Sequence, residues 1–75
     1  MAYYVDTDGE VLPYIGCPDG ILLLDGRILK DTDEVNTRLF ATTEAANKFG
    51  ELVKDNPSTA RARFRDWLDS LKDRR

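Results

Sequence analysis

Seventy-five residues carrying a net charge of −3 leave room for one domain, and a chain this short buries only about 60% of its unfolded surface. A single cysteine, Cys17, and no histidine exclude an intrachain disulfide and a zinc site built from several Cys or His ligands. Self-association or partner binding is then the remaining aid to a marginal core.

The opening Met1-Ala2-Tyr3-Tyr4-Val5-Asp6 has no basic segment followed by an apolar stretch, unlike a signal peptide. The longest aliphatic run, Ile21–Leu24, is far shorter than the roughly 20 residues that span a bilayer. With the lone cysteine, these features predict a cytoplasmic chain with no membrane partner.

Three Asp-Gly pairs, Asp8-Gly9, Asp19-Gly20 and Asp25-Gly26, punctuate short apolar segments in the first half. Gly tolerates positive φ and Asp bonds its own backbone, so these are turn signals between paired strands. The first hairpin is expected to pair Ala2–Asp6 with Glu10–Ile15 around Thr7-Asp8-Gly9, with Gly9 at the left-handed position. Pro13 cannot donate to a ladder, which predicts an edge position for its strand.

The second hairpin is expected to pair Ile21–Leu24 with Arg27–Lys30 through a two-residue Asp25-Gly26 turn. That register sets Leu23 opposite Ile28 and Leu22 opposite Leu29. Ile21, Leu23 and Ile28 then share one face, and Leu22, Leu24 and Leu29 share the other. Both faces are apolar. Residues 31–37 read as a polar loop, and Arg38–Ala41 as a last short strand.

Thr42 or Thr43 is expected to cap a helix with Glu44 in its first turn. Ala45, Ala46, Phe49, Leu52 and Val53 fall on its apolar face, and Gly50 off it. Asn56 ends this helix, and Pro57 suits the start of another. There Ala60, Phe64, Trp67, Leu68 and Leu71 form one stripe. Asp66, Asp69 and Asp73 lie opposite, with Arg61, Arg65 and Lys72 along a flank and a local Arg65–Asp69 ion pair expected.

Together these predict an α+β fold: a small antiparallel sheet of four or five strands, from two hairpins, followed by two C-terminal helices packed on one face.

Tyr3-Tyr4-Val5-Asp6-Thr7-Asp8-Gly9-Glu10 resembles the first motif of haloacid-dehalogenase-like phosphatases, which implies Asp6 as nucleophile, Asp8 as general acid/base and a nearby Mg²⁺. It departs at Glu10, where that family has Thr. The family's parallel sheet also needs a crossover helix where this chain shows a returning strand. Asp6 and Asp8 resemble the opening of a calcium loop too, but Gly9 comes one residue early. Cys17 has no histidine to activate it. The reading is a non-enzyme with no catalytic residue, metal or cofactor.

Charge divides the chain: residues 1–36 carry eight acids and two bases, residues 37–75 six acids and nine bases. Arg61, Arg63 and Arg65 lie early in the second long helix, where a helix-turn-helix would read DNA, which makes a nucleic-acid-binding regulator the alternative reading. Asp66 and Asp69 close by, and the acidic first half, oppose phosphate contacts.

YYVDTDGEVLPYIG and RLFATTEAANKFGELV are similar in style to small bacteriophage accessory proteins. The resemblance implies a compact, non-enzymatic protein that binds and modulates a host protein as an inhibitor. The residues expected to carry binding are Leu22, Leu24 and Leu29 on an uncovered sheet face, and Arg61, Arg65, Asp66 and Asp69 on the last helix. A homodimer through the leucine face is the simplest outcome.

Overall fold

A computed structural model describes residues 2–72 of the chain; Asp73, expected on the acidic stripe, lies outside the described residues. Five strands, β1 (Ala2–Val5), β2 (Val11–Cys17), β3 (Gly20–Leu23), β4 (Ile28–Leu29) and β5 (Leu39–Phe40), form one antiparallel sheet in the order β4-β3-β2-β1-β5. A one-turn helix, α1 (Asp33–Asn36), lies between β4 and β5, and two long helices follow, α2 (Thr43–Asp55) and α3 (Ala60–Lys72). This is the α+β fold expected, with five strands.

The first hairpin closes as its sequence dictates. The Gly9 N–H donates to the Asp6 carbonyl at 2.9 Å, the Asp6 N–H donates to the Glu10 carbonyl at 2.8 Å, and Gly9 has φ +83. The second hairpin repeats that design instead of using the two-residue turn. The Gly26 N–H donates to the Leu23 carbonyl, the Leu23 N–H donates to the Arg27 carbonyl, and Gly26 has φ +97. Leu24 therefore belongs to the turn, and the register is Ile21↔Leu29 and Leu22↔Ile28. A slip of one residue exchanges the faces of the returning strand: Leu29 joins Ile21 and Leu23, while Ile28 joins Leu22.

Pro13 lies in the central strand, not at an edge. Hydrogen-bonded and non-bonded pairs alternate along an antiparallel ladder. The Asp6–Glu10 bond sets the alternation so that Tyr3↔Pro13 is a non-bonded pair, and β1 asks nothing of the Pro13 nitrogen. On the other side the β3 ladder starts one residue later, at Tyr14↔Leu23, and the Pro13 carbonyl still accepts from the Leu24 N–H at 3.1 Å.

Each face of the sheet carries a packed element, by different means, and the helix-bearing face only in part. β4 and β5 are opposite edges, four strand spacings or about 19 Å apart, so residues 30–38 must cross a face to join them. They bring α1 with them, capped by the Thr32 hydroxyl, which accepts from the Val35 N–H at 3.3 Å. The expected loop thus contains a helical turn, and its Val35 packs on a core of Tyr4, Ile21 and Leu23. On the other face, α2 starts at an N-cap of Thr42 and lies over β1, β5 and β2. Val5, Ala46, Phe49, Val53, Ala60 and Phe64 make that core. Phe40, Phe49 and Phe64 form a triangle with centroids 5.2–5.4 Å apart.

Two helix positions differ from expectation. Gly50 is buried rather than off the packed face, because the turn of the first hairpin leans on it: a Cβ at Gly50 would stand 2.5 Å from the Gly9 carbonyl oxygen. The stripe on α3 is buried only at its start. Ala60 and Phe64 are buried, Trp67 is half-buried 5.6 Å from Phe64, and Leu68 is exposed.

Three outcomes follow for stability. Phe64→Ala should cost about 3–5 kcal/mol in urea unfolding, and Trp67→Ala clearly less; equal losses would contradict the half-buried indole. An open helix site gains up to about 1 kcal/mol from Gly→Ala, whereas Gly50→Ala should destabilise, since its methyl group meets backbone; a raised melting temperature would refute the contact. The Tyr4 phenol is pushed above the ordinary tyrosine value of 10.0 by burial and then by Asp6. Its contribution to stability is therefore full below that value and is lost as pH rises through the higher folded pKa. Tyr4→Phe should remove that part of the alkaline loss, and an unchanged profile would contradict it.

Candidate functional site

The sheet is wider than the helices that cover it. α2 rests on β1, β5 and β2, and the same face continues beyond it across β2, β3 and β4. The registers place Pro13, Ile15, Leu22 and Ile28 there in one row. Ile15 is 63% exposed and Ile28 56%, and Leu24, lifted into the turn beside them, is 78% exposed. Leu22 is half-buried. Pro13, Ile15, Leu22 and Leu24 also border a shallow groove of about 290 Å³ where the β2–β3 ladder gives out.

Why these residues stay uncovered follows from the turn and the strand order. The three-residue turn sends Leu24 outward and sets Ile28 opposite Leu22. The central place of β2 then leaves β3 and β4 beyond the reach of the helices. Of the expected leucine face, Leu22 and Leu24 are on the open surface. Leu29 is not: it sits half-buried on the opposite face, against the core that the crossover covers. Ile28 takes its place, and Pro13 and Ile15 complete the row. The missed signal was in the sequence, since Leu24-Asp25-Gly26 can close a hairpin just as Thr7-Asp8-Gly9 does.

The charged residues of α3 do not assemble into a single surface. Arg61 is held by the fold: both of its terminal nitrogens donate to the Thr37 carbonyl at 3.1 Å, and its guanidinium carbon is 5.6 Å from the Phe49 ring centroid. Arg65, Asp66 and Asp69 are exposed. Arg65 and Asp69 flank a shallow apolar surface at Leu68 and Leu71, and among the described residues no ion pair joins them, contrary to expectation.

Asp6 serves the turns, and Asp8 lies within the first of them. Asp6 accepts from the Thr7 N–H at 2.7 Å and faces Arg27 at 3.4 Å. The Arg27 Nε donates to Asp25 at 2.7 Å, so one guanidinium ties the two hairpin turns at the same end of the sheet. Hydrogen bonds from the Arg27 backbone N–H and, next among the favourable contacts, from its side chain hold the Asp25 carboxyl below its usual range. The pair is exposed, so solvent screens most of its value. Cys17 is half-buried at the end of β2.

Among the described residues no group of three or more His, Cys, Asp or Glu is placed to hold a metal ion, and no helix is long and apolar enough to cross a membrane. Comparison of the chain with protein-family models, with curated proteins and with solved structures finds no match.

Proposed function

We propose that this chain is a protein-binding module that docks through the open part of its helix-bearing sheet face. The observation that carries this reading is the row Pro13, Ile15, Leu22 and Ile28 with Leu24 beside it. Three of its large aliphatic side chains are more than half exposed: Ile15 on β2, Ile28 on β4, and Leu24 in the turn between β3 and β4, with half-buried Leu22 on β3 between the two isoleucines. They leave on the order of 400 Å² of mainly apolar surface in one place, within the range of the largest patch on a typical single chain, a patch that is often functional. Scattered exposed leucines are common and mean little; a contiguous row over three strands costs solvation unless something covers it.

A second copy of the chain is the simplest cover, because a two-fold axis lets one patch satisfy its own copy. The patch alone gives about half the 800 Å² per partner of a standard interface, so the rims of β4 and the Leu24 turn would join the contact. Binding without chemistry is also the mode of action that the resemblance to phage accessory proteins implies. Modulation of a host protein would then be exerted by the same face, with the host protein in the place of the second copy.

Sedimentation equilibrium of the wild type against Leu24→Glu and Ile28→Lys tests the dimer. These side chains are exposed, so both variants should stay folded as monomers, changed in intrinsic stability by no more than about 0.5 kcal/mol, and lose the dimer together with the concentration-dependent part of the melting temperature that it supplies. For a protein partner, a photo-crosslinking residue at position 24 should yield a discrete adduct in the native cell. A monomeric wild type that gives no more adduct at position 24 than at exposed Glu51 would refute the reading.

A further inference from the structure

Arg38 and Arg61 converge on one aromatic ring. Arg38 immediately precedes β5, Arg61 is in the first turn of α3, and their guanidinium carbons are 6.0 and 5.6 Å from the Phe49 centroid. Both border a cavity of about 300 Å³ between the first hairpin turn, α1 and the α2–α3 connection, which Thr7, Glu34 and Ser58 also line. It shares no residue with the apolar row.

Backbone carbonyls fix the two side chains there. Arg38 Nη1 donates to the Val5 and Asp6 carbonyls at 3.3 and 3.2 Å, and Arg61 donates twice to that of Thr37. Among the described residues no carboxylate lies within ion-pair distance of either guanidinium. Two fixed cations at one cavity repel each other, and an anion between them would turn that repulsion into attraction. Arg38 Nε and Nη2 and Arg61 Nε make no hydrogen bond among the described residues, so donors remain for a ligand. Ala60, which opens α3, lines the same cavity, and the free N–H groups of a helix's first turn add positive potential.

We propose that this cavity binds a phosphate group, either free phosphate or that of a small monoester. The free Nε–Nη2 edge of Arg38 matches the paired oxygens of a phosphate, Arg61 Nε adds one further charged donor, and the volume is at the small end of ligand pockets. Glu34 opposes any anion here, which gives the site a variant of opposite sign. Replacing Glu34 by Gln removes a repulsive charge and leaves both arginines in place.

The test is an amide NMR titration of the full chain with inorganic phosphate and with phenyl phosphate, at constant ionic strength maintained with chloride. Saturable shifts centred on Ala60 and Arg61 are expected. Glu34→Gln should tighten binding severalfold, and Arg61→Gln should weaken it about tenfold, the value of one charged hydrogen bond. A gain in affinity cannot come from a damaged fold, so the Glu34→Gln arm stands even if Arg61→Gln unfolds. Tighter binding of phenyl phosphate would identify a monoester, and equal binding free phosphate. Shifts that do not saturate, or affinities indifferent to Glu34→Gln, would overturn the proposal.

Discussion

The rest of the structure depends on how its two hairpins turn. Each closes over three residues and ends on a glycine with positive φ, Gly9 and Gly26. That closure fixes which residue stands opposite which. Because side chains alternate along a strand, register decides which face each one enters. Val5 then points toward the helices and Tyr4 away from them, so adjacent residues of β1 anchor the two opposite cores. The same rule sends Leu29 into a core and Ile28 out of one.

Covering two apolar faces with 75 residues is a problem of supply. The chain solves it by placing β4 and β5 on opposite edges, which forces the connecting segment across one face and makes a short loop do the work of a third layer. The long helices are then free to pack on the other face, but they are too narrow for five strands. Gly50 lets α2 settle against the first hairpin turn, which holds the helices toward the β1 and β5 side. What remains open beyond them is the outcome of that placement, and it is the surface to which binding is assigned.

The class of each long element was legible in the residues. Thr42 and Glu44 mark the start of α2, the 3.6-residue spacing of Ala46, Phe49 and Val53 marks its buried face, and Asp-Gly pairs mark the turns. Strand order was not legible, because nothing local to Pro13 says that its missing N–H would fall at a non-bonded pair in a central strand. Nor was the crossover: Val35 is one apolar residue in a polar stretch, and its burial depends on where the two edge strands lie. Gly50 looked like a weak helix residue because its role is a contact with a turn forty-one positions earlier. Leu68 looked like core because periodicity shows an apolar stripe but not how far along the helix a partner extends. Of the candidate site, Leu22 and Leu24 are legible in the sequence; Ile28 depends on a three-residue closure that Asp25-Gly26 alone does not announce, and Pro13 and Ile15 on the central place of β2.

The account rests on the β3–β4 register, and NMR reads it directly. With the Leu23 N–H bonded to the Arg27 carbonyl, Leu22 and Ile28 are a non-bonded pair, the kind in which facing α-carbons come closest. A strong nuclear Overhauser contact between the α-protons of Leu22 and Ile28 is expected. A contact between the α-protons of Leu23 and Ile28 instead would restore the two-residue turn, return Ile28 to the covered face and break up the apolar row.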